Sequence, residues 1–323
     1  MIGHVQYLMG LARGKLSNEE GETKCDAKPF SNKDNVHNEL DTISSQHEMG
    51  YTKPEITLST LADLKISEDE EAYNMRHPRR GMAIIFNHKD FEPPLGLTQR
   101  KGTDRDKENL CNVLQQLDFE IHVYDDLNYK EVERTLFSIS ADDSHKNADC
   151  LLIVVLTHGE EGILYAKDHP YRTEKIWAPF SDMECPSLIG KPKLFFIQAC
   201  QGDRLDEGVT LMKRISSTES DSDKSHSTKT PTHPDFLVVY STIEGFYSWR
   251  NVDRGSWFIQ ALCQVLSNQW NEGRDILSCM TLMSRKIAFD FQSNVPTNRV
   301  MHEKKQVPCV NSTLTKDLIF TPK

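Results

Sequence analysis

Two stretches decide the architecture. Residues 150–159 read Cys150-Leu151-Leu152-Ile153-Val154-Val155-Leu156-Thr157-His158-Gly159, and residues 193–202 read Lys193-Leu194-Phe195-Phe196-Ile197-Gln198-Ala199-Cys200-Gln201-Gly202. Each holds a short, unbroken apolar run of strand length, the pattern of a strand covered on both faces. Further out, Met82-Ala83-Ile84-Ile85-Phe86 (ending at Asn87), Phe119 to Tyr124 and Phe236 to Tyr240 repeat the signal. Helical spacing lies between them. Leu110, Val113, Leu114 and Leu117 fall at i, i+3, i+4, i+7 behind a cap at Thr103 or Asp104, and Val132, Leu136 and Phe137 suit a second helix. Phe258, Ala261, Leu262, Val265 and Leu266 form one later helix; Ile276, Met280, Met283 and Ile287 form another. Residues 307–310 and 318–320 read as late strands. Strands alternating with helices predict an α/β fold, a parallel sheet with helices on both faces.

Composition limits the function. The 323 residues carry 38 Lys+Arg against 48 Asp+Glu, a net charge of −10. That balance argues against nucleic acid, because no excess of cations is available to displace phosphate counterions. No apolar stretch approaches the ~18 residues that span a bilayer. The first residues lack the basic start and small-residue cleavage site of a secretory signal. The eight cysteines include no Cys-x-x-Cys pair, which reads as reduced cytoplasmic thiols with no zinc site and no cofactor. Residues 1–77 are polar and aperiodic, so order is expected to begin near Gly81. Residues 216–234 contain no apolar side chain, which suggests a lid, a linker or a processing segment.

The chemistry is expected where the two central runs end. Reactive groups in an open parallel sheet collect outside the carboxyl ends of its strands. If the runs are neighbours, His158 and Cys200 leave the same edge, each beside a glycine that lets a substrate backbone come close. A cysteine paired with histidine makes a thiolate nucleophile. Read singly, the cysteine fits equally well as a small buried hydrophobe.

Gln198-Ala199-Cys200-Gln201-Gly202 resembles the active-site pentapeptide of the caspase family, with the histidine 42 residues upstream. The resemblance extends through Arg100-Lys101-Gly102-Thr103-Asp104, Thr157-His158-Gly159-Glu160-Glu161-Gly162, Tyr247-Ser248-Trp249-Arg250-Asn251 with Gly255-Ser256-Trp257, and Lys304-Lys305-Gln306-Val307-Pro308-Cys309. It points to an insect-type effector caspase: a three-layer α/β/α sandwich with a mostly parallel six-stranded sheet, and a zymogen that executes apoptosis by cutting proteins after aspartate. A catalytically silent homologue serving as a regulatory binding partner is the alternative.

Carried over residue by residue, the resemblance makes Cys200 the nucleophile and His158 the proton donor to the leaving amine. The Thr98 carbonyl orients the histidine, and the backbone N–H groups of Gly159 and Cys200 form the oxyanion hole. Arg100, Gln198 and Arg250, with Ser248 beside them, take the substrate aspartate; two guanidinium forks and an amide saturate a carboxylate as lysines cannot. Tyr247 and Trp249 are assigned to the next substrate residue (P2), Asn251 and Trp257 to the fourth (P4); the competing reading, weaker here, makes these aromatics core. Residues 292–297 lack the aromatic expected of a loop closing over P4.

The same resemblance divides the chain. Residues 1–26 are a disordered pro-segment, 27–221 a large subunit, 222–234 an intersubunit linker region and 235–323 a small subunit. Cuts follow Asp26 and Asp221, with Asp223 a second linker site. The implied partners are protein substrates, an upstream initiator caspase and a second large/small heterodimer paired through residues 307–310. Inhibitor-of-apoptosis proteins would grip Ala27-Lys28-Pro29-Phe30.

Overall fold

The two central runs form adjacent strands of one sheet, and the alternation of their side chains builds a core on each face. The computed structural model describes residues 23–25, 70–208, 234–269 and 272–323. In chain order the strands are β1 (Thr23–Cys25), β2 (Met82–Asn87), β3 (Glu120–Asp125), β4 (Leu151–Leu156), β5 (Gly159–Glu160), β6 (Ile163–Tyr165), β7 (Pro170–Arg172), β8 (Lys193–Gln198), β9 (Phe236–Tyr240), β10 (Trp249–Asn251), β11 (Gly255–Ser256) and β12 (Cys309–Ser312). The helices are α1 (Thr103–Gln116), α2 (Tyr129–Ser140), α3 (Trp257–Gln269) and α4 (Ile276–Asp290).

The main sheet runs β12-β9-β8-β4-β2-β3. Its strands are parallel apart from β12, which pairs antiparallel with β9. From β2 the chain steps to β3 on one side and then to β4 on the other. The switch point between β2 and β4 opens the crevice in which doubly wound sheets bind ligands. Leu152, Val154 and Leu156 of β4 pack with Leu110, Leu114, Phe258, Leu262 and Met283 of α1, α3 and α4. Leu151, Ile153 and Val155 pack on the opposite face with Val132, Leu136 and Ile139 of α2 and with Trp177 and Phe180. The result is the three-layer sandwich with a six-stranded sheet.

Several expectations need correction. Order begins before Gly81, because Tyr73 and Met75 are buried and the Tyr73 hydroxyl donates to Asp235 Oδ1 at 2.7 Å; two anchors are too few to show as a period. The pro-segment is not wholly without structure, since Thr23–Cys25 is a strand. Helix α1 has Gly102 as its N-cap, because the Thr103 hydroxyl donates to Asn87 Oδ1 at 2.6 Å instead of capping. Phe137 is half exposed: at 100° per residue it lies ~140° around α2 from Val132, while Ile139 takes the inward place. Residues 318–320 form no strand. Leu318 and Phe320 are buried, but the segment lies against the start of α4, with Ile276 N–H donating to the Leu318 carbonyl at 2.9 Å. The expected cut sites Asp26, Asp221 and Asp223, and the segment Ala27-Lys28-Pro29-Phe30, lie outside the described residues.

Candidate active site

Strand pairing brings the predicted nucleophile and histidine to one edge. Leu156 of β4 is opposite Gln198 of β8, and Thr157 N–H donates to the Gln198 carbonyl at 3.1 Å. His158 and Cys200 each stand two residues beyond that pair, with the same side-chain parity. The contact is close. A Cβ on Gly159 would sit 2.6 Å from the Cys200 carbonyl oxygen and 2.8 Å from Ala199 Cβ, so only glycine admits this approach. Both His158 and Cys200 are buried. His158 Nε2 lies 2.7 Å from the Thr98 carbonyl oxygen, and its ring packs 5.0 Å from that of Phe91. At the sulfur, Ser248 N–H donates to Cys200 Sγ at 3.1 Å.

Around this pair the cationic and amide side chains converge without solvent. Arg100 and Arg250 are 0 % and 1 % exposed, where arginine is ordinarily a surface residue. Arg100 Nη1 donates to the His88 carbonyl at 3.1 Å and to Thr103 Oγ1 at 2.9 Å. Arg250 Nη1 donates to the Lys101 carbonyl. Gln198 Nε2 donates to Ser248 Oγ at 2.8 Å, which ties the β8 end to the β10 segment. The loop after β2, the start of α1, the end of β8 and β10 therefore meet at one crevice.

Four contributors were not picked out from the sequence. Asp106, fully buried on α1, accepts from Ser256 N–H at 2.7 Å and from the Ser256 hydroxyl. Burial raises its pKa to about 7, although the Arg100 and Arg250 charges and the Ser256 bonds pull it down. Gly255 makes room for it: its φ is +89°, and a Cβ there would lie 2.2 Å from Asp106 Oδ1. His88 is held neutral, pushed down to about 3 by burial and the neighbouring Arg100. Gln306 Oε1 accepts from Trp249 N–H at 2.7 Å while its Nε2 donates to the Ser241 carbonyl at 2.7 Å, locking β10 to the end of β9. Asn294, in the loop that lacks the aromatic, accepts Thr23 N–H at 3.5 Å and donates its own N–H to Thr23 Oγ1 at 3.2 Å. Asp106 shows in the sequence only as a second acid in the first turn of a helix, where it reads as complement to the helix dipole, and Gln306 only as a member of the Lys304–Cys309 motif, with no role assigned.

The residues assigned to P2 and P4 form one buried aromatic stack. Tyr247 and Trp249 have ring centroids 6.3 Å apart, Trp249 and Trp257 stack at 5.9 Å, and Trp257 meets Phe291 at 5.6 Å. Asn251 is also buried, and its Oδ1 accepts Asp253 N–H and Arg254 N–H at 2.9 Å each, closing the turn after β10. Asp206 is tied to Lys305 by an isolated antiparallel bridge. Among the described residues no His/Cys/Asp/Glu cluster could hold a metal, and no helix is long and apolar enough to cross a membrane.

Residues 80–319 match the family model described as Caspase domain. The chain is 50 % identical over 275 residues to Caspase drICE of Drosophila melanogaster, covering 85 % of this chain and 80 % of that protein. It is 49 % identical over 263 residues to Caspase-1 of Spodoptera frugiperda, covering 81 % of this chain and 86 % of that one. A crystal structure of Caspase-1 from Spodoptera frugiperda superposes with a TM-score of 0.71 at 48 % identity, over 79 % of this chain and 95 % of its own.

Proposed function

This chain belongs to the caspase family as an insect-type effector, a cysteine-type endopeptidase of apoptosis made as a zymogen, and on that premise we propose which of its residues do the work. Protein substrates and a dimeric assembly of large and small subunits go with that membership. In the proposed reaction the Cys200 thiolate adds to the carbonyl carbon after a substrate aspartate. The N–H groups of Gly159 and Cys200 hold the oxyanion, and losing one such donor typically costs ~10²–10³-fold in rate. His158, oriented by Thr98, passes its proton to the departing amine. Water then hydrolyses the thioester and restores the thiol.

Arg100, Arg250 and Gln198 take the aspartate carboxylate. A substrate without it leaves two cations in a dry site with no incoming counter-charge, a loss of ~3–5 kcal/mol. Selectivity of about 10²–10⁴-fold follows. Tyr247 and Trp249 border P2, and Asn251 and Trp257 border P4. The observation that carries the reading is the burial of both guanidinium side chains, on elements far apart in sequence, with Arg250 two residues along from Ser248, whose N–H donates to the Cys200 sulfur.

The proposed processing divides a pro-segment (1–26), a large subunit (27–221), a linker region (222–234) and a small subunit (235–323), with Asp26 and Asp221 as the cut sites. An upstream initiator caspase cuts after Asp221, and inhibitor-of-apoptosis proteins bind the freed Ala27-Lys28-Pro29-Phe30. Residues 307–310, whose last two residues begin edge strand β12, are the proposed dimer contact, since among the described residues β12 pairs in the main sheet with β9 alone. Eight cysteines in no disulfide suit a cytoplasmic site.

A fluorogenic peptide ending in aspartate and its asparagine counterpart, each given to the wild type and to Cys200→Ala, test the assignment. Wild type should cleave the first at least 100-fold faster, and Cys200→Ala neither. Activity retained by Cys200→Ala, or equal rates on the two peptides, overturns it.

A further inference from the structure

Strand β1 is out of place for a pro-segment. It pairs antiparallel with β10, with Thr23 opposite Asn251, Lys24 opposite Arg250 and Cys25 opposite Trp249. On its other side β10 pairs with β11, so β1 fills the edge that β10 would otherwise leave open. An open strand edge of this kind is where an extended peptide adds itself, with main-chain bonds giving affinity and alternate side chains giving specificity.

The alternate side chains are engaged. Thr23 is 6 % exposed and is gripped on its backbone and its hydroxyl by Asn294, from the loop beside the aromatic stack. Cys25, next on the same face, is half-buried opposite Trp249. One step beyond the Cys25–Trp249 pair along β10 stands Ser248, whose N–H meets the Cys200 sulfur. In the sequence, Cys25 is followed by Asp26.

We propose that Thr23–Cys25 is a resident substrate strand: before processing, the chain occupies its own peptide groove on β10 and so competes with substrates in trans. This rests on the reading that the groove beside Cys200 receives substrate. Because the strand is tethered, its effective concentration is about millimolar, enough to outcompete a dilute peptide without high intrinsic affinity.

Full-length chain carrying Cys200→Ala, which cannot cut itself, allows occupancy to be read without catalysis. A fluorescent peptide ending in aspartate is titrated against it by anisotropy. The same titration is run with Lys24→Pro added, which removes a backbone donor from the strand, and on a chain starting at Ala27. Both changes should tighten the peptide's Kd at least tenfold. An unchanged Kd in both overturns the resident strand. The processed wild type and its Cys200→Ala form, assayed on the aspartate peptide, report on the catalytic assignment alone, so its failure is seen independently of the strand.

Discussion

Gly159→Ala tests whether the close approach of the two strand ends is what catalysis needs. The added methyl would stand 2.6 Å from the Cys200 carbonyl oxygen, 2.8 Å from Ala199 Cβ and 3.1 Å from the Ile163 carbonyl oxygen. Ordinary C···O contact begins at ~3.3 Å, so the His158–Gly159 backbone has to retreat from Cys200 by about 0.7 Å. All three obstacles are backbone or a Cβ, so no flexible side chain can yield in its place. A displacement approaching ~1 Å at reacting groups costs roughly 10²-fold, or about 2.7 kcal/mol of transition-state stabilisation. Overpacking adds a stability loss of ~1–3 kcal/mol. The control is Gly162→Ala in the same loop. Its φ of +71° makes alanine strained, but nothing lies within 4 Å of the added methyl, so that variant should lose stability and keep its turnover. The assay is kcat/KM on an aspartate-terminated peptide with processed enzyme, beside a thermal melt. Gly159→Ala within threefold of wild type, at an unchanged Tm, would refute the reasoning.

Three further outcomes follow from the same geometry. Asp106 has its pKa raised from the ordinary 3.8 to about 7, so its contribution to stability is fully present below pH ~4 and lost as the pH climbs through 7. The permanently neutral Asp106→Asn should therefore gain Tm relative to wild type between pH 5 and pH 8; equal differences at both pH values contradict the assignment. Arg100→Lys keeps the charge but loses the fork, and kcat/KM on an aspartate peptide should fall ~10²-fold with little change in Tm, whereas a fall confined to Tm would give Arg100 a purely structural part. Asp149 is buried and pairs with Arg80 at 2.9 Å and with Lys323 at 2.6 Å; its replacement by alanine strands the buried Arg80 charge and should cost ~3–5 kcal/mol in urea unfolding, an expectation that a loss below 1 kcal/mol would rule out.

What was legible in the sequence follows from where the physics is local. A strand covered on both faces must be apolar throughout, so β4 and β8 announced themselves, and the end of each run marked the polar residues leaving the sheet. Asp106 could not be read this way: one helical acid looks the same whether it faces water or lies behind two arginines, and only the packing of α1 against β11 decides. Phe137 and residues 318–320 misled for a related reason. Their apolar character was real, but their direction or pairing depended on neighbours distant in the chain. The aromatic residues 247, 249 and 257 left both readings open because an aromatic near a strand end has the same local pattern in either role. In the structure they form a buried stack that reaches Phe291.

Composition argued against any structure in residues 1–26, and for the segment alone that argument holds, since three residues bury too little to offset the entropy of ordering them. What Thr23–Cys25 gains comes from its partner. β10 presents a row of backbone donors and acceptors that needs an antiparallel strand, and supplying one requires only an extended chain of the right length and a side chain that Asn294 can hold. If this strand holds the groove as proposed, a polar sequence suits it, because few side-chain contacts would then have to be given up when a substrate strand takes its place. The pairing of β1 with β10 is a match of backbone geometry, which hydrophobic periodicity does not encode.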